Sequence, residues 1–234
     1  MSMGIPSKSD IQHIAEPVAA MVRRRPAIET GGLHGRSIAV ALDLLQDYQA
    51  VRPQLDEIAA RLDRPVDEIR EIFPDPQAVL IAAAEQALVR LMDNCTKAVV
   101  RVDPDDAVAQ FCALGDAYLE WAQTYPVHFR LMSDQQLLDT LGTPQLRRYL
   151  NSLSELMTRM LERAQEAGNL PQDENIALMV LSSRSFAYGL ARMVVDQRMG
   201  EWYPDMPPLE SAKLAMRDFV RRFARGSLRR STAP

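Results

Sequence analysis

From residue 36 onward, apolar residues return every three to four positions, and the prolines fall between those stretches rather than inside them. A period near 3.6 lines up one face of a helix for burial, whereas a strand requires a period of two. The apolar positions are mostly Ala, Leu and Met rather than Val, Ile and Thr, which favours helix over sheet. At 234 residues and 47% hydrophobic content, the chain is long enough to bury a substantial core in one large domain or two smaller ones. The expected fold class is all-α.

Residues 1–34 read as an irregular N-terminal arm, interrupted by Pro6, Pro17 and Pro26, closed by Gly31-Gly32 and carrying the run Arg23-Arg24-Arg25. Residues 35–80 then hold a compact pattern of three short helices. Ile38, Ala41, Leu42 and Leu45 mark the first; Leu55, Ile58, Ala59 and Leu62 mark the second at the same spacing. Asp63-Arg64-Pro65 leaves room only for a turn before Val66, Ile69 and Phe73 restart a third helix, which Pro74 ends. Two short helices joined by a tight turn and closed onto a preceding one form the helix-turn-helix layout, with the third helix offered to the major groove. An ordinary helical hairpin within a bundle has the same spacing.

Residues 81–226 read as a helical bundle for ligand binding and dimerisation, and 227–234 as a basic tail. Its first helix starts at Gln77 and runs to about Val102, with Leu80, Ala84, Ala87, Leu91, Cys95 and Val99 on one face. Asp103-Pro104 is expected to stop it and cap the next, which ends before Pro126. A short helix at 127–133 follows, and Thr143-Pro144 opens a strongly amphipathic one that closes at Gly168-Asn169. The segment 173–199 is apolar enough to be expected buried on most sides, and a last helix at 209–225 presents Ala212, Met216, Phe219, Val220 and Phe223.

Several classes are disfavoured. Two cysteines, Cys95 and Cys112, both inside helical patterns, fit a reducing cytoplasm. No signal peptide or bilayer-length apolar run is legible, so no membrane role is expected. His13, His34 and His128 are distant from one another and none follows a Glu by three residues, so no metal site is expected. No nucleophile elbow, P-loop or dinucleotide fingerprint occurs, which makes an enzyme the least expected class and leaves no cofactor.

The stretch Asp56-Glu57-Ile58-Ala59-Ala60-Arg61-Leu62, followed by Ile69, Phe73-Pro74-Asp75 and Val79-Leu80, resembles the DNA-binding domain of the tetracycline-repressor (TetR) family. Downstream, Trp121-Ala122, Pro126 and Phe129-Arg130-Leu131-Met132 are similar to a segment common in that family, and Ala187-Tyr188-Gly189-Leu190-Ala191 to a later one. The matches run in the family's order across roughly 36–199. The resemblance implies a homodimer paired through its last two long helices, a ligand cavity in the C-terminal domain and a palindromic duplex operator as partner. It departs from the pattern where Asp63-Arg64-Pro65 and Glu68-Ile69-Arg70 replace a small turn and the phosphate-anchoring Thr and Tyr. Pro76 stands where a Lys or Arg is usual, and Tyr188 where a His is usual.

The net charge of −4 does not announce a nucleic-acid binder, and the head itself is acidic. Between Gln54 and Pro76, Asp56, Glu57, Asp63, Asp67, Glu68, Glu71 and Asp75 face only Arg61, Arg64 and Arg70. Duplex affinity comes largely from neutralised phosphates, so this sign opposes binding. Asp67 and Glu68 either stabilise the positive end of their helix or accept from cytosine while Arg64 or Arg70 pairs with guanine. The candidate DNA contacts are Arg36, Gln54, Arg64, Pro65, Val66, Asp67 and Arg70, with Arg23, Arg24 and Arg25 of the arm reaching phosphate or a minor groove.

Candidate ligand contacts are Trp121, Met132, Met157, Met160, Met179, Arg184, Phe186 and Tyr188, since methionine adapts to loosely shaped apolar ligands. Arg184, in an apolar helix beside Ser182, Ser183 and Ser185, needs a partner if buried: an ion pair, a dimer contact or a carboxylate on a small apolar effector. The expectation is a cytoplasmic, ligand-responsive DNA-binding repressor. The alternative is a TetR-like scaffold that has lost DNA binding and acts as a protein-interaction module.

Overall fold

A computed structural model of the chain describes residues 32–47 and 52–230. Within them every regular element is a helix: α1 Gly32–Asp47, α2 Leu55–Leu62, α3 Val66–Arg70, α4 Pro76–Val99, α5 Ala107–Thr124, α6 Pro126–Ser133, α7 Pro144–Glu166, α8 Ile176–Val195, α9 Met199–Trp202 and α10 Pro208–Arg230. Arg23, Arg24 and Arg25 lie outside the described residues.

Helix α1 starts at Gly32, earlier than the expected arm boundary at residue 34. Local packing explains the extension. Leu33 is packed against the core, the His34 ring lies 4.8 Å from Phe73, and the Ser37 hydroxyl donates to the Leu33 carbonyl at 2.9 Å. Helix α2 ends where Asp63 takes a left-handed φ of 53°, a conformation Asp tolerates better than most residues. The Arg64 amide then donates back to Ala59 at 3.0 Å, closing the turn that leads into α3. That helix stops at Arg70, and the chain reaches Phe73 through a tighter turn in which the Ile72 and Phe73 amides both donate to the Ile69 carbonyl. Asp75 caps α4 by accepting from Ala78 at 2.8 Å, with Pro76 in the first turn.

Helix α5 is the hub of the bundle, packed against α4, α6, α7, α8 and α10. It begins at Ala107 rather than at Pro104. Asp103 instead closes a turn by accepting from the Asp105 amide at 2.9 Å, and Asp106 is the cap, accepting from Ala109 at 2.8 Å. Ala107 is the first residue there to face the core, so burial sets the start. Helix α8 departs further from expectation. Its inner face is buried, yet Leu178 and Leu181 are 56% and 60% exposed, because nothing in a single chain covers the outer face.

The three-helix head is not an independent bead on this bundle. Helix α1 packs against α4 and α6, and the Arg52 guanidinium donates to the carbonyls of Gln136 and Leu137, both at 3.0 Å. Between α1 and the bundle lies a charged cleft of about 320 Å³, lined by Leu45, Gln46, Arg130, Asp134, Arg192 and Asp196 among others.

Nearby in α6, His128 is 6% exposed and its Nε2 has no hydrogen-bond partner among the described residues. Burial, helped by the Arg90 guanidinium, pushes its pKa down from 6.5 to about 4. A folded-state pKa below the unfolded one means that stability is fully present above about pH 6.5. It is lost as pH falls towards 4, by about 3 kcal/mol in total. Urea unfolding between pH 7 and 4 should show that loss, and His128→Gln should flatten the slope in that window. Superimposable profiles for the two proteins would remove His128 as the cause.

Candidate DNA-reading head and ligand cavity

Helix α3 is held from below and open above. Ile69 is fully buried and Phe73 nearly so, and Val66 packs against the same core. Pro65, Asp67 and Arg70 are exposed on the other side, together with Arg64 in the preceding turn. Gln54 and Arg36 are exposed as well, Gln54 just before α2 and Arg36 on α1. The Gln54 amide donates to the Glu57 carboxylate at 2.8 Å, which fixes the start of α2. The candidate DNA contacts in the described residues therefore belong to one compact head, with Val66 the most shielded of them.

The charges of that head are largely committed to one another. Arg64 lies 3.8 Å from Glu68, Arg70 lies 3.1 Å from Asp67, and Arg61 lies 3.0 Å from Asp47. Such exposed pairs add little stability, but each offsets a cation that a phosphate would otherwise engage.

The bundle encloses a cavity of about 550 Å³ between α4, α5, α6, α7, α8 and α10. Its inner wall is made by Leu91, Phe111, Phe129 and Leu138, all nearly fully buried, and by Leu150, Leu153 and Met157 of α7. Towards the outside lie Leu181, Arg184, Ser185 and Tyr188 of α8, all exposed. Phe129 and Tyr188, both in its lining, stack on one another with ring centroids 5.7 Å apart. Volume and apolar lining are those of a small-molecule site.

Four of the eight sequence candidates, Met132, Met157, Arg184 and Tyr188, line this cavity. Trp121, Met160 and Met179 are buried elsewhere in the core, and Phe186 stacks on Phe219 at 4.6 Å. Arg184 is exposed rather than buried, so its apolar sequence surroundings misplace it. Sequence reasoning missed Phe129, Leu138, Tyr118 and Ser183 as lining residues; a periodic stripe does not distinguish a side chain that fills a core from one that borders a void. Ser183 is fully buried and its hydroxyl has no partner among the described residues. Burial pushes the Tyr118 hydroxyl well above its ordinary pKa, with the Arg184 charge acting in the opposite direction. Burial also pushes the Cys95 thiol up to about 12, which makes it inert rather than nucleophilic. Among the described residues no three His, Cys, Asp or Glu side chains converge as a metal site, and no helix is long and apolar enough to cross a membrane.

A helix-turn-helix head joined by a long helix to a cavity-bearing bundle defines a two-part, all-helical architecture, whose function is a matter of its sites. Residues 111–223 match the model of the tetracyclin repressor-like C-terminal domain. Comparison with curated proteins gives no match. Among solved structures, a Rhodococcus protein of unknown function aligns with a TM-score of 0.66 at 22% identity, covering 84% of this chain and 98% of its own. The TetR-family transcriptional regulator PfmR of Thermus thermophilus aligns at 0.57 and 21% identity, covering 80% and 97%. The ketosteroid transcriptional regulator KstR2 of Mycobacterium tuberculosis aligns at 0.62 and 14% identity, covering 86% and 98%. The chain thus has the fold of TetR-family transcriptional regulators, and its residues 111–223 are a TetR-like C-terminal domain.

Proposed function

We propose that this protein is a homodimeric, ligand-responsive DNA-binding regulator that represses from a palindromic operator in the cytoplasm. The observation that carries the reading is the display of α3: its apolar residues hold it to the core while Pro65, Asp67 and Arg70 are left facing outward. The exposed apolar residues Leu178 and Leu181 of α8 and Leu214 of α10 support pairing through the last two long helices. Two heads about 34–36 Å apart would engage successive major-groove turns.

Helix α4 is the natural transmission element. It is one helix of 24 residues that packs against α1 and lines the cavity at Leu91 and Cys95. A ligand that favours one position of α4 changes the separation of the heads, and so discriminates between bound and free operator. The test is selection of duplexes from a random pool by the purified full chain at low salt. Enrichment of a palindromic site is the expected result; no enrichment would end the operator reading.

A second reading has its own support. With Arg64 and Arg70 offset by Glu68 and Asp67, the head is poorly charged for a polyanion, and a scaffold that binds a protein partner would keep α3 as it is. The same selection separates the two.

A further inference from the structure

We infer that the cavity of the bundle takes an apolar monoanion: a hydrocarbon body seated inside and one carboxylate held at the opening by Arg184. This deepens the ligand-responsive reading above and rests on it. The chain carries 31 acidic residues, yet none lines this cavity among the described residues; its one charged lining residue is Arg184. A lining with one positive group and no acid favours an anion over a cation, and the charge-assisted pairing available at that group favours the anion over a neutral ligand of the same shape.

The arrangement also gives the ligand a direction. Arg184 is exposed, at the α8 edge of the cavity, and pairs with no carboxylate among the described residues. Leu91, Phe111 and Leu138, each no more than 2% exposed, make the deeply buried part of the lining. The head therefore stays at the α8 edge, which faces outward in the single chain, and the apolar body points inward. Close to Arg184, the buried Ser183 hydroxyl without a partner supplies a second donor to the same lining. A guanidinium binds a carboxylate through paired, charge-assisted hydrogen bonds, which a lysine reproduces in charge but not in shape.

The probes are decanoate and 1-decanol, which share a chain and differ in the head. Calorimetric titration of the full chain at pH 7.5 should show decanoate binding at least tenfold more tightly than decanol. Arg184→Gln should weaken decanoate by about tenfold or more and leave decanol unchanged, while Arg184→Lys should keep most of the preference. Sedimentation velocity on each variant separates a lost head contact from a lost subunit contact. Equal affinity of the two probes for the unmodified chain, or a preference that survives Arg184→Gln, overturns the inference and leaves the cavity a ligand site of other selectivity. Failure of both probes to bind overturns it together with the effector half of the proposed function.

Discussion

The double substitution Asp67→Asn with Glu68→Gln should raise affinity for duplex DNA of any sequence by at least tenfold and steepen its dependence on salt. The change removes two negative charges from each head and releases Arg70 and Arg64 from the carboxylates they now face at 3.1 and 3.8 Å. Each phosphate newly neutralised adds about 0.9 to the slope of log K against log salt. Two arginines on each of two heads therefore allow a steepening of up to about 3 to 4. Asp67 and Glu68 also sit in the first turn of α3, where a carboxylate favours the helix dipole, so a small loss of stability accompanies the gain. Anisotropy titrations of a labelled duplex at several salt concentrations measure both quantities. Unchanged affinity and slope would mean that α3 does not face DNA, and the protein-partner reading would take its place.

Phe129→Ala should cost about 3 to 5 kcal/mol of stability, a large share of the roughly 5 to 15 that a folded chain has. Phe129 is 2% exposed in α6, so its removal deletes a full ring from the wall of an existing cavity and the stack on Tyr188. Enlarging a void that is already there leaves the surroundings few ways to collapse onto the gap. For a chain of this length, the melting temperature should fall by about 10 °C. Val100→Ala, at a side chain 72% exposed, is the control and should change stability by less than about 0.5 kcal/mol. A loss below 1 kcal/mol for Phe129→Ala would show that the wall is looser than its burial implies. Because Phe129 borders the cavity while α6 packs against α1, the same variant should also weaken ligand binding.

Helical identity, the order of the long helices and several helix starts were determined by the amino-acid sequence alone, whereas the separate short helix α9 was not. A 3.6-residue apolar period and a proline stop are local properties; the turn at Asp63-Arg64-Pro65, the Asp75-Pro76 start of α4 and the Thr143-Pro144 start of α7 stand where local chemistry puts them. Tertiary structure decided what periodicity cannot carry. The period marks which face of a helix is apolar, but not whether that face meets another helix, a cavity or a second chain. Met157 and Met160 lie on one helix and share its stripe, yet one borders the cavity and the other is core. Arg184 sits among apolar residues in sequence and at an open edge in space, because the side of α8 it occupies has nothing packed over it in a single chain. Likewise α1 begins at Gly32 and α5 at Ala107, since each helix starts where its first side chains find something to pack against, and that partner is far away along the chain.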